Sequence, residues 1–178
     1  MIILSGSSHQ ELASNIANLL QTQPIHCVLD RFSDGEIQVD IKDNVRNKDI
    51  FIIQSGYSNL KDDYNTNDYL METLILIDAC KRSMAKTINV IMPYYPYSRQ
   101  DKKDESRSPI TAKLVANMLT QAGINRLVVM DLHSSQIQGF FDIPVDNIYS
   151  VNIVLDYFNK YIFRSEEHTS ELQSPDHL

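Results

Sequence analysis

Cysteine is scarce in this 178-residue chain, which has only Cys27 and Cys80, far apart and each in an apolar segment. That pair supplies neither a disulfide framework nor the close spacing of a zinc site, so a reducing compartment is expected. Long apolar runs are missing too. None approaches the roughly 20 residues of a membrane-spanning helix, and the opening MIILSGSS lacks the basic region and length of a secretory signal. A soluble, cytoplasmic protein with no membrane partner is the expectation. Positive charge is in short supply: 16 Lys and Arg against 23 Asp and Glu leave a net −7, which argues against nucleic acid as a partner. Neither G-x-x-x-x-G-K-[ST] nor G-x-G-x-x-G occurs, and no serine or cysteine nucleophile constellation is evident.

What is present suits one globular domain. Hydrophobic residues make up 43% and charged residues 22%, enough for a real core at this length. Strands are read at IILSG, IHCVLDRF, EIQVDI, DIFIIQS, TINVIMP and NRLVVMDLH. EIQVDI alternates strictly and should have one wet face, whereas DIFIIQS is a continuous apolar run, as in a strand covered on both sides. Between the strands come helices. Ser8 is expected to cap the first, with Glu11 completing a capping box and Leu12, Ile16, Leu19 and Leu20 on one face. After the polar loop GYSNLKDDYNTN, a second helix from about Asp68 to Ser83 points Leu70, Met71, Leu74, Ile75 and Ile77 at a core. Ser108 and Pro109 should start a third, with Ile110, Leu114 and Met118 beside Val115 and Leu119, and Gly123 ending it. A last helix runs from about Val151 to Tyr161. Strands alternating with helices give an α/β fold, a mostly parallel sheet with helices on both faces.

The final RSEEHTSELQSPDHL, residues 164–178, has no apolar periodicity and carries one cation against four acids. It looks like translated sequencing-adapter read-through and is expected to be a disordered, non-native tail. A natural disordered tail is the alternative. On the first reading the domain spans 1–163 and the natural protein continues past Phe163.

In an open α/β sheet ligands bind beyond the carboxyl ends of the strands. Two segments follow the two most apolar strands there. In PYYPYSRQDKKDESRSPI, Arg99, Lys102, Lys103 and Arg107 stand among Asp101, Asp104 and Glu105. These cations suit a polyphosphate: Arg99 offers a planar fork, the lysines point charges, and Tyr94, Tyr95 and Tyr97 faces for stacking. A solvated surface loop is the plainer reading. In MDLHSSQIQGFFDIPVD, Asp131 and His133 are two apart, so on a strand they project together. A carboxylate and an imidazole there suit a divalent ion such as magnesium, which a polyphosphate would bring. They could equally satisfy turn backbone groups, as Asp142 and Asp146 around Pro144 could. A third segment, RFSDGEIQV, places Asp34-Gly35 between alternating runs, which says hairpin turn.

Taken together, SGSSHQEL, RFSDGEI, RQDKKDESRSPITAKLVANML and MDLHSSQIQGFFDIPVDN resemble, in order from about Ile2 to Tyr161, the ribose-phosphate diphosphokinase (phosphoribosyl pyrophosphate synthetase) family. The resemblance implies a phosphoribosyltransferase-like, Rossmann-like domain, the N-terminal one of two. It implies transfer of the β,γ-diphosphoryl group of ATP to the 1-hydroxyl of ribose 5-phosphate, with Mg2+. Arg99 and Gln100 would contact ATP, and Asp101, Lys102, Lys103 and Asp104 would lie along its phosphates. His133 would ligate magnesium with Asp131 nearby, and Asp142 and Asp146 match metal-associated positions. Arg99 would stabilise transition-state charge, and the ion near His133 would orient the β-phosphate. Phe32, Asp34, Gly35 and Glu36 match a loop that reaches across a subunit interface to a neighbour's adenine, so a homo-oligomer is implied, in the family a hexamer built of dimers.

The departures matter as well. The family's ribose-phosphate loop, an acidic pair before a Thr-Gly-Gly-Thr type turn, is absent, as are its flexible-loop lysine and a further metal-binding aspartate. The chain alone is therefore expected to hold part of ATP-Mg without turnover. A non-catalytic associated subunit is the alternative; such subunits tend to lose the RQDKKD segment and the metal histidine, both intact here. A phosphoribosyltransferase would need its own ribose-phosphate loop.

Overall fold

A computed structural model describes residues 1–58 and 64–163, and divides the chain into a compact unit, Met1–Ile148, and a second beginning at Tyr149. The first unit is built from β1 (Ile2–Ser5), α1 (Gln10–Leu19), β2 (Cys27–Arg31), β3 (Ile37–Ile41), β4 (Asp49–Ile53), α2 (Thr66–Arg82), β5 (Thr87–Met92), α3 (Thr111–Ala122), β6 (Arg126–Met130), a 3₁₀ helix (Ser135–Phe140) and β7 (Val145–Ile148). In the second, α4 (Val151–Phe158) runs into a π-helical turn, Asn159–Phe163. The expected tail, 164–178, lies outside the described residues. No helix among the described residues is long and apolar enough to cross a membrane.

The expected parallel sheet is there. Five strands run parallel in the order β1-β4-β5-β6-β7, while β2 and β3 pair antiparallel as a separate hairpin. Because neighbouring residues on a strand point to opposite faces, the sheet feeds two cores. On one face Leu4, Ile50, Ile52, Val90, Leu127 and Val129 pack with Leu76, Ile77 and Cys80 of α2 and Val115 and Leu119 of α3. Leu29, Val39 and Ile41 of the hairpin add to that side. On the other face Ile3 and Ile53 meet Ala13 and Ala17 of α1. Each apolar side chain fully removed from water contributes about 1.5–3 kcal/mol.

Local details correct several expectations. Ser8 does not cap α1; His9 does, accepting from Leu12 N–H at 3.2 Å, because Ser8 Oγ already accepts from Ser55 N–H at 2.7 Å. Of the expected α1 face, Leu12 and Ile16 pack beside the buried Ala13 and Ala17, whereas Leu19 is 85% exposed and Leu20 51%. In α2 the capping box is Asn65 with Asp68, and Met71 is exposed. α3 starts at Thr111 after Ile110, with no side-chain cap from Ser108; its buried residues are Ala112, Val115, Ala116 and Leu119, and Leu114 is exposed. Gly123 ends α3 as expected, left-handed at φ 115.

Candidate functional site

Three loops meet at the carboxyl rim, and buried hydrogen bonds interlock them. After β1, Gly6 passes so close to Gln54 that an added Cβ would stand 2.3 Å from Oε1, so any larger residue must displace the Gln54 amide. Gln54 is fully buried, accepts from Ser8 N–H at 3.0 Å and donates to Glu72 at 2.6 Å. The Glu72 carboxylate, also fully buried, takes two further bonds from Ser7, N–H at 2.8 Å and Oγ at 2.7 Å. A buried carboxylate is tolerable when donors surround it this way. After β4, Gly56 N–H donates to Tyr94 O at 2.9 Å, and a Cβ there would lie 2.6 Å from Pro96 Cδ.

The loop after β5 is built on Tyr95. Its ring is buried edge-on to Phe141, 5.9 Å between centroids, and its hydroxyl donates to Ala112 O at 2.9 Å. Burial pushes that phenol well above its usual range. Tyr97 adopts a left-handed φ of 58 and donates its hydroxyl to Asn67. Such a conformation in a bulky residue persists only where its surroundings enforce it. Gln100 then anchors the start of α3: its carbonyl accepts from Ala112 N–H at 3.1 Å and its side chain from Thr111 Oγ1.

At the end of β6 the chain leaves the strand. β6 stops at Met130, and Asp131 turns to φ 45, so strand alternation does not describe Asp131 and His133. Asp131 N–H donates to Ile148 O at 2.9 Å and Leu132 N–H to Asn147 Oδ1 at 3.2 Å, which pins the turn to β7.

These loops enclose two adjoining cavities. One, of about 210 Å³, is lined by Arg99 and Ser98 from the loop after β5 and by Asp131 and His133 from the turn after β6, over Tyr95. The other, of about 510 Å³, is lined by Tyr57, Ser58, Thr66, Tyr97 and Gln100. Tyr94, Ser98 and Arg99 border both. Arg99, Asp131 and His133 thus meet in one polar space.

Other expected site residues lie elsewhere. Asp101 is buried and accepts from Gln136 Nε2 at 3.1 Å, tying the Arg99 loop to the segment after His133. Lys102, Lys103 and Asp104 are exposed and line neither cavity; Lys102 and Asp104 pair at 3.7 Å. Asp142 is exposed in the turn before β7. Asp146 lies two residues short of the end of β7, paired at 2.5 Å with Arg126, the first residue of β6. Among the described residues no group of three or more His, Cys, Asp or Glu stands together as a metal site, and Asp142 and Asp146 do not line the cavity of Asp131 and His133. Of the four metal-associated positions, Asp131 and His133 share the cavity with Arg99.

Phe32, Asp34, Gly35 and Glu36 form the exposed hairpin tip, away from both cavities of their own chain. Gly35 N–H donates to Phe32 O at 2.9 Å with Gly35 at φ 91, and Phe32 N–H donates to Glu36 O at 2.8 Å. This is a tight turn with a left-handed glycine bulge, as Asp-Gly predicts. Thiol chemistry has no place here: burial pushes Cys27 up to about 11 and Cys80 to about 12.

Residues 1–123 match the family model described as the N-terminal domain of ribose phosphate pyrophosphokinase. The chain belongs to this family. The ribose-phosphate pyrophosphokinase of Fusobacterium nucleatum is 49% identical over 165 residues, 93% of this chain and 50% of its own length. That of Corynebacterium ammoniagenes is 51% identical over 156 residues, 88% of this chain and 47% of its own. The crystal structure of phosphoribosylpyrophosphate synthetase from Mycobacterium smegmatis superposes with a TM-score of 0.83 at 42% identity, covering 90% of this chain and 52% of that one. The chain spans about half the length of the curated relatives it matches. The parallel sheet, with its loops interlocked at the carboxyl rim, is thus that of a ribose phosphate pyrophosphokinase N-terminal domain.

Several residues at this rim were not singled out from sequence. Tyr57, Ser58 and Thr66 belong to what reads as a plain polar loop, and Asn147 and Gln136 act only through bonds between distant segments. The one available signal was that GYS directly follows the end of a buried strand.

Proposed function

We propose that this chain is the ATP- and magnesium-binding half of a ribose-phosphate pyrophosphokinase, which moves the β,γ-diphosphoryl group of ATP to the 1-hydroxyl of ribose 5-phosphate. One observation carries the reading: Arg99, Asp131 and His133 line one cavity at the carboxyl rim.

Each residue has a definable task. Arg99 holds phosphate oxygens through its planar fork and neutralises the charge that grows on them during transfer. Lys102 and Lys103 add positive potential from just outside the cavity. Asp131 and His133 would hold the magnesium ion, and a carboxylate, an imidazole and phosphate oxygens are a suitable donor set for it. When bound, magnesium neutralises phosphate charge and orients the diphosphoryl group. The sugar oxygen bonds to the β-phosphorus, the bond from that phosphorus to the α,β-bridging oxygen breaks, and AMP leaves with the electron pair. The hydroxyl proton passes to solvent. Asp101 contributes by holding the Arg99 loop against the segment after His133.

The exposed hairpin tip extends the reading to an oligomer. Phe32 is 51% exposed, and Asp34 and Glu36 stand beside it with carboxylate acceptors. In a homo-oligomer they would stack on and hydrogen-bond the adenine held by a neighbouring subunit. Because no ribose-phosphate loop occurs in the sequence, the 178-residue chain alone binds MgATP without turnover.

Calorimetry tests this directly. Wild type should bind MgATP; Arg99→Ala should weaken it by about 1.5–3 kcal/mol, the worth of a hydrogen bond to a charged group, and His133→Ala should weaken the magnesium-dependent part of binding. Unchanged affinity in both variants would favour the non-catalytic associated subunit instead. Release of AMP from ATP and ribose 5-phosphate well above background would refute the absence of turnover.

A further inference from the structure

Two consecutive residues in the first turn of α2 bond to two different loops. Asn67 accepts from the hydroxyl of Tyr97, which stands two residues before Arg99. Asp68 pairs with Arg31 at 3.1 Å, and Arg31 Nη1 donates to Gly35 O at 3.0 Å in the hairpin tip. These contacts join the Arg99 loop to the segment that carries Phe32, Asp34 and Glu36. On the reading above, one loop serves the ligand of this subunit and the other a neighbour's.

The link is firm in its middle. Asn65 Oδ1 accepts from Asn67 N–H at 2.8 Å and Asp68 N–H at 3.3 Å, and the Asp68 carboxylate accepts from Asn65 N–H at 2.8 Å. That reciprocal capping box fixes the turn on which Asn67 and Asp68 stand. The side chains of Arg31 and Asp68 are only 30% and 20% exposed, so their attraction is screened less than that of an open surface pair. The Arg31 guanidinium also lies 4.1 Å over the Tyr64 ring.

The ends are looser. Asp34, Gly35 and Glu36 are exposed. Tyr97 is exposed too, and its left-handed φ of 58 persists only where the surroundings enforce it, the bond to Asn67 among them. Ordering one end of such a linked pair lowers the entropy cost of ordering the other.

We propose that the first turn of α2 couples the two loops: phosphate binding at Arg99 stiffens the hairpin tip through Tyr97, Asn67, Asp68 and Arg31. This rests on the phosphate reading of Arg99 and the oligomer reading of the tip. A subunit holding its own ligand then presents a better-ordered tip to its neighbour. Coupling is reciprocal, so a tip engaged by a neighbour tightens phosphate binding at its own Arg99. Asn67, Asp68 and Arg31 are positioning residues in this scheme.

Magnesium tripolyphosphate is the probe, because it has no base for a neighbour's tip to touch. Calorimetry on the whole chain measures its binding, and hydrogen exchange follows the Gly35 and Glu36 amides. In wild type, saturation should slow both amides about fivefold or more, the lower end of coupling between sites. Asn67→Ala and Arg31→Lys should each bind tripolyphosphate within about twofold of wild type yet lose that slowing; lysine keeps the charge but not the fork that spans Asp68 and Gly35. A merely structural role would instead speed exchange equally with and without ligand, and that result overturns the coupling. So does bound tripolyphosphate with no slowing in wild type, or slowing that survives both substitutions, and in each case the phosphate reading stands. No binding by wild type removes both.

Discussion

Arg31 and Asp68 meet 3.1 Å apart, joining the end of β2 to the first turn of α2. The same guanidinium donates to Gly35 O at 3.0 Å and lies 4.1 Å over the Tyr64 ring. One side chain thus braces the hairpin tip that carries Phe32, Asp34 and Glu36 against the first turn of α2. Arg31→Ala should free the tip with the sheet intact. Hydrogen exchange is the check: amides of Gly35 and Glu36 should exchange faster, and those of β4 and β5 should not change. Uniform acceleration would mean that Arg31 supports the whole fold.

The buried carboxylate under the first loop gives a second prediction. Every group that Glu72 is seen to bond is a donor: Ser7 N–H, Ser7 Oγ and Gln54 Nε2. Glu72→Leu would leave all three without this acceptor and cost about 1–3 kcal/mol. Gly6→Ala, which forces a Cβ onto the Gln54 amide, should cost about 1–3 kcal/mol by overpacking. Urea unfolding measures both, and a loss below a few tenths in either would contradict the interlocked loops.

The thiols predict a pH dependence. Burial raises Cys27 from 9.0 to about 11 and Cys80 from 9.0 to about 12. Below pH 9 both are protonated in folded and unfolded chains, so their stabilising contribution is fully present. As pH rises through the folded values the unfolded chain has already lost its protons, so stability falls between about pH 9 and 12. Cys80→Ala should flatten that decline in denaturation midpoints across the range. At pH 7 neither thiol should react readily with a thiol reagent in the folded chain.

Asp146 separates the metal readings. Because it pairs with Arg126 and not with His133, Asp146→Ala should leave magnesium-dependent ATP binding unchanged and cost little stability, as exposed ion pairs usually do. His133→Ala should weaken the magnesium-dependent part of binding. Equal effects from the two would restore Asp146 as a ligand.

Much of the fold was legible in the residues. DIFII and TINVIM announce buried strands because continuous apolar runs need cover on both faces, and Asp34-Gly35 announces its turn because glycine alone takes a left-handed φ at low cost. Helix faces were harder. Leu19, Met71 and Leu114 fit an apolar period but point outward, while small Ala13, Ala17 and Ala116 are the residues that let helices approach the sheet. Periodicity does not reveal which of two stripes the sheet will cover. The cap at Ser8 failed for a related reason: its hydroxyl was claimed by Ser55, 47 residues away.

At the site the division is sharper. The order of residues alone determined that Arg99 and the Asp131–His133 pair follow buried strands, hence that both stand at one rim of a parallel sheet. Only the tertiary structure decided which side chains share a space there. β5 and β6 are neighbours, so the loops after them border one cavity, whereas Asp146 is drawn off to Arg126. Strand pairing, turn strain at Asp131 and hydrogen bonds between distant segments set that outcome, and each depends on partners that no local stretch of sequence names.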